Sequence, residues 1–118
     1  MPLVSFKKMM EDAEKGGYAV GYFESWNLES LQAVWEAAEE TRSPVILGFT
    51  GRQLPDPRRA VPEELELFTA MGLTFCKLAS VPTVFIFNES PYLNSIKKAI
   101  DLGFNVVMFS DEKCSYEE

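Results

Sequence analysis

Histidine is absent from this 118-residue chain. That removes the side chain most often used as a general base near neutral pH, and the commonest nitrogen ligand of zinc. Cysteine is scarce: Cys76 and Cys114 stand in different segments and form no CxxC pair, so they read as buried free thiols of a reducing compartment. Basic residues are few, 11 Lys and Arg against 18 Asp and Glu, for a net charge of −7. A chain of that sign lacks the positive face that nucleic acid or an anionic membrane surface requires. No apolar run approaches the length of a membrane span. Lys7, Lys8, Glu11 and Asp12 break up any signal-peptide pattern at the start. The expectation is a cytoplasmic protein without nucleic-acid or membrane partners.

What is present is ordinary for one globular unit over 1–118: 47% hydrophobic residues with 25% charged ones, enough to bury a core and solvate a surface. The richest stretch runs over 81–91. It opens as an apolar, β-branched run short enough to be a buried strand. It then stops in Asn88, Glu89 and Ser90, and Ser90-Pro91 has the form of a helix start, serine as N-cap and proline in the first turn. A buried strand thus carries an amide and a carboxylate to its C-terminal edge.

The rest of the chain repeats that plan. A helix over 5–15, capped by Ser5 and ended by Gly16-Gly17, comes first. A strand over 18–23 ends in Glu24 and Ser25, and Asn27 caps a helix with Leu28, Leu31, Val34, Trp35 and Ala38 on one face. After the break at Arg42-Ser43-Pro44, a strand over 45–49 ends in Thr50. A loop with Arg52, Arg58 and Arg59 leads to a helix opened by Pro62, whose stripe is Leu65, Phe68, Met71, Phe75 and Leu78. Beyond the central strand, Leu93, Ile96, Ala99 and Ile100 line a helix stopped by Gly103. A strand over 106–109 ends in Ser110-Asp111-Glu112, and residues 115–118 look like the first turn of another helix. Continuous apolar strands alternating with helices, at a period near 28 residues, point to a parallel sheet with right-handed crossovers. Glu24, Thr50, Asn88, Glu89 and Asp111 then share one sheet edge, the edge at which parallel α/β proteins build their sites.

The residues also resemble a family. The opening Met1-Pro2-Leu3-Val4-Ser5, Gly16-Gly17-Tyr18-Ala19-Val20-Gly21, Asn27-Leu28-Glu29-Ser30-Leu31 with Glu36-Ala37-Ala38-Glu39-Glu40, and Ser43-Pro44-Val45-Ile46-Leu47 are similar to class II fructose-bisphosphate (ketose-bisphosphate) aldolases. The similarity continues through Val81-Pro82, Lys97-Lys98-Ala99-Ile100-Asp101 and Gly103-Phe104. It implies an α/β fold in which four parallel βα repeats, behind a leading helix, form half of a TIM-type (β/α)8 barrel. The implied activity is that of a lyase of carbohydrate metabolism, cleaving a carbon–carbon bond in a ketose phosphate or related sugar with a divalent metal, zinc in the related family. The implied partners are that small sugar phosphate and either a second copy of the chain or a missing C-terminal half.

The departures fall at the centre. The family's third strand typically ends in a His-Leu-Asp-His-Gly-like motif, its aspartate transferring a proton and its second histidine binding metal. Here Asn88 and Glu89 occupy those positions, with Ile86 and Ser90 at the outer ones. An amide is not an acid or base in the usual range. A carboxylate at 89 would favour magnesium or manganese over zinc. The resemblance therefore implies Glu89 as metal ligand, and Asn88, Glu24 and Asp111 as the catalytic set. It further implies Thr50 and Asn27 as substrate contacts. Two other outcomes stay open: a non-catalytic protein that keeps a ligand pocket, and a truncated barrel inactive alone. Plainer roles compete as well, since Asn88 and Glu89 suit a helix start and exposed arginines in an acidic chain are usually solvated.

Overall fold

The computed structural model describes residues 2–52, 60, 63–112 and 115. Helix α1 spans Phe6–Gly16; Ser5 accepts the Lys8 N–H at 3.2 Å, and Gly17 takes left-handed backbone, φ 67°, at the far end. That helix end also takes the Tyr18 N–H, bonded to the Ala13 carbonyl at 3.1 Å. Tyr18 is thus unavailable to the sheet, and strand β1 is Gly21–Ser25 rather than beginning at 18. Helix α2, Leu28–Thr41, opens with a capping box: Asn27 Oδ1 accepts the Ser30 N–H at 2.9 Å, and Ser30 Oγ accepts the Asn27 N–H at 3.1 Å. Then come β2 (Val45–Thr50), α3 (Leu65–Leu78), β3 (Thr83–Ser90), α4 (Leu93–Leu102) and β4 (Val106–Phe109).

The four strands are parallel and lie in sequential order, β1-β2-β3-β4. Helices α2, α3 and α4 cover one face, as expected for half of a TIM-type barrel. On that outer face Leu47, Phe49, Phe85 and Phe87 pack against Leu31, Leu65, Cys76, Ile96 and Ala99. Phe85 stacks on Phe104, ring centroids 4.0 Å apart, and meets Phe49 edge-on at 6.1 Å. Each such ring, fully buried, contributes about 1.5–3 kcal/mol of hydrophobic stabilisation. The inner face has its own smaller core, where Met9 of α1 packs on Ile46 and Val84. Helix α1 therefore packs on the inner face near the strand starts, leaving the strands' C-terminal tips to the site.

Four of the expected core positions are not in the core. Leu28, Leu78, Leu93 and Ile100 are 50%, 65%, 57% and 53% exposed. A helical stripe read from sequence is wider than the strip of each helix that meets the sheet; α2 buries only Leu31 and Ala38, α3 only Leu65, Thr69, Gly72 and Cys76, and α4 only Ile96 and Ala99. Trp35 and Phe75 meet edge-on at 5.6 Å, sealing α2 to α3. Cys76 is a buried free thiol, as expected. Cys114, Pro62, Arg58, Arg59 and the helical turn expected to end at 118 lie outside the described residues.

The helix start expected at Ser90 is also corrected. Strand β3 runs through Ser90, whose carbonyl accepts the Ser110 N–H at 2.9 Å, and α4 begins at Leu93 with Tyr92 at the cap position. Pairing with β4 outweighs the local capping preference. Among the described residues, no helix is long and apolar enough to cross a membrane.

Candidate functional site

Strand alternation puts Tyr22 and Glu24 of β1, Gly48 and Thr50 of β2, and Ile86 and Asn88 of β3 on the inner face. Gly48 lies beside Glu24 on one side and Ile86 on the other. A Cβ there would fall 2.2 Å from the Ile86 carbonyl oxygen, so only glycine fits. With no side chain between them, the outer two strands reach each other: Asn88 Nδ2 donates to Glu24 Oε2 at 3.3 Å, and Tyr22 Oη donates to the same oxygen at 3.2 Å. Burial, reinforced by the neighbouring Glu24 carboxylate, pushes the Tyr22 phenol well above its ordinary value of 10.0. It therefore remains a hydrogen-bond donor over the physiological range.

The tip of β3 holds a feature that strand alternation does not foresee. Phe87 pairs with Val107 and Ser90 with Phe109, so three steps along β3 match two along β4. The extra residue makes a β-bulge at Asn88-Glu89, and Glu89 takes left-handed backbone, φ 50°. Such backbone is uncommon outside glycine, and its strain concentrates at functional positions. The Gly51 N–H bonds the Asn88 carbonyl at 2.6 Å, and a Cβ on Gly51 would stand 2.5 Å from the Ser90 Cβ. Arg52 is thereby set down on the bulge. Its Nε lies 3.2 Å from Glu89 Oε2, and its Nη2 lies 2.6 Å from Glu112 Oε1 and donates to Ser110 Oγ at 3.2 Å.

The structure thus brings together Glu24 and Asn88, with Thr50 buried beside Asn88 in register. Glu89 belongs to a second cluster, with Arg52. Asn27 is spent on capping α2, and Asp111 is exposed beyond β4, joining none of the hydrogen bonds or ion pairs found among the described residues. Sequence reading missed Tyr22 as a member of the edge, and placed Ser110 and Glu112 at the tip of β4 without giving either a role. Tyr22 was legible from its spacing of two before Glu24. Arg52 stood out only as one of several loop arginines.

A divalent-metal centre does not fit these side chains. Among the described residues, no three His, Cys, Asp or Glu side chains stand together to hold an ion. The carboxylate at the strand-three tip is already paired with a guanidinium, and Glu24 is engaged by a phenol and an amide.

Comparison with known proteins adds the lineage. A family model described as Fructose-bisphosphate aldolase class-II matches residues 4–118. The chain is 37% identical over 121 residues to the probable fructose-bisphosphate aldolase of Bacillus subtilis (strain 168), covering all of this chain and 40% of that protein. It is 34% identical over 118 residues to the sulfofructosephosphate aldolase of Alkalicoccus urumqiensis, covering all of this chain and 39% of that one. The crystal structure of the YdjI aldolase from Escherichia coli K12 superposes with a TM-score of 0.82 at 28% identity, over 98% of this chain and 41% of that chain. The chain therefore spans about two-fifths of the length of these relatives. It belongs to the class II fructose-bisphosphate aldolase family.

Proposed function

We propose that the chain supplies the first four βα units of an aldolase-type barrel, and that its strand-tip edge receives a ketose phosphate or related sugar for carbon–carbon cleavage. The observation that carries this reading is the Glu24–Asn88 contact across β2, made at the C-terminal edge of a chain whose family membership covers residues 4–118. Aldol cleavage needs a base for the hydroxyl proton next to the breaking bond, and a polar surround for the charge that collects on the carbonyl side. Glu24 is the base in this reading, oriented by Tyr22 and Asn88, with Asp111 as the alternative. Thr50 offers a hydroxyl beside Asn88, and Asn27, at the α2 cap, lies at the rim. In the family a divalent ion polarises the substrate carbonyl. The resemblance puts Glu89 at a ligand position for that ion, but in this chain its carboxylate is paired with Arg52.

A second reading is favoured by one observation. An amide, Asn88, stands where the resemblance places the proton-transfer acid, so the edge can bind a sugar without cleaving it. Coupled aldol-cleavage assays separate the two, run on ketose mono- and bisphosphates with the remainder of the barrel supplied. Cleavage lost in Glu24→Gln supports the lyase. Binding without turnover across the panel supports the ligand-binding form, and neither binding nor turnover rejects both.

A further inference from the structure

We propose that Arg52 is the resident cation of this edge, a positioning residue that gathers the tips of β2, β3 and β4 and fills the place a divalent ion would need. Three oxygens from separate parts of the chain converge on its guanidinium: Glu89 Oε2 on Nε at 3.2 Å, with Glu112 Oε1 and Ser110 Oγ on Nη2 at 2.6 and 3.2 Å. Carboxylates and a hydroxyl drawn to one centre are the donors of a hard-cation site. Here the planar guanidinium fork meets them instead, with directed N–H donors.

The backbone is shaped to keep it there. Gly51 approaches the bulge more closely than any side chain would allow, tied by its N–H to the Asn88 carbonyl at 2.6 Å. Glu89 holds left-handed backbone at the position that meets Arg52 Nε. Arg52 also lines a small cavity of about 160 Å³ with Tyr92, Ser110 and Glu112. Two carboxylates outweigh one guanidinium, so the triad has a net charge of −1 and does not itself attract a phosphate. A divalent ion binding Glu89 would have to expel a fixed positive charge, which like-charge repulsion opposes. Cation binding at this edge is measured without sugar-phosphate turnover, so the two can fail separately.

Manganese(II) chloride is titrated into the full chain as wild type, Arg52→Gln and Arg52→Lys, followed by water-proton relaxation and by thermal melting. Wild type and Arg52→Lys are expected to bind no manganese at this edge and to keep one melting temperature throughout. Arg52→Gln is expected to melt lower without metal and to regain stability with manganese, by linkage. A manganese-dependent rise in wild type that Glu89→Gln abolishes overturns the proposal, as does a folded Arg52→Gln that ignores manganese. Should Arg52→Gln not fold, the wild-type Arg52 Nε–H resonance decides. Its persistence through the titration supports the resident cation; its selective broadening overturns it.

Discussion

Asn88 Nδ2 lies 3.3 Å from Glu24 Oε2, although 64 residues of sequence and the whole of β2 separate the two. Gly48 makes that contact possible, because no side chain projects from β2 at the level of Glu24. Gly48→Ala puts a methyl group 2.2 Å from the Ile86 carbonyl oxygen and forces β2 away from β3. Overpacking of this kind costs about 1–3 kcal/mol, and a backbone atom yields less readily than a side chain. The variant is expected to melt several degrees lower in calorimetry. An unchanged melting temperature would show that the strands are not packed as described.

Tyr22 carries a pH dependence whose sign is determined by its surroundings. Its folded-state pKa is raised, first by burial and then by Glu24. Below pH 10 both folded and unfolded chains hold the proton, and the full stability is present. Above it the unfolded phenol ionises while the folded one resists, so stability falls as pH rises. Melting temperature should decline more steeply between pH 9 and 11 in wild type than in Tyr22→Phe, where those limits are about one unit either side of the ordinary phenol value. Parallel curves would remove Tyr22 from the interior of the edge.

Cys76 should be chemically silent while the chain is folded. It is buried in the outer core, and burial pushes its thiol up to about 11, leaving little of the reactive thiolate at neutral pH. In a Cys114→Ser background, labelling by a disulfide reagent at pH 8 should follow the rate of unfolding. Labelling as fast as that of a free thiol would place Cys76 at the surface.

Much of the fold was legible locally. Ser5, Asn27 and Gly103 ended their helices as read, because a cap depends on three or four consecutive residues. Strand β4 matches its expected limits, and β2 extends one residue further, to Thr50. The site was legible only in outline. Glu24 and Asn88 share one edge in the sequence reading, but their contact depends on the absence of a side chain at Gly48, on the strand between them and far from either in sequence. The bulge at Asn88-Glu89 is a mismatch between β3 and β4, visible only once both strands are paired. Ser90 misled for the same reason: its local capping preference yields to a non-local hydrogen bond with Ser110.

The outer strands carry a further expectation. Phe23 on β1 is 58% exposed, and Met108 and Phe109 on β4 are 47% and 46% exposed. Apolar side chains on strands at both ends of a parallel sheet invite pairing with another chain. Light scattering on this 118-residue chain alone should find species larger than a monomer, shifting to a defined complex when the C-terminal part of a class II aldolase barrel is added. A monodisperse, highly stable monomer would mean that these edges need no cover.

The most direct test of the strand-tip site is to locate a ketose phosphate on the folded protein by NMR. With the remainder of the barrel supplied, the sugar phosphate is titrated and backbone amide shifts are followed. The expected result is perturbation at Glu24, Thr50, Gly51, Asn88, Glu89 and Ser110, at the C-terminal edge of the sheet, reduced in Glu24→Gln. Perturbation instead around the opposite-edge groove at Val4, Ala79 and Val81, or none at saturating ligand, would contradict it.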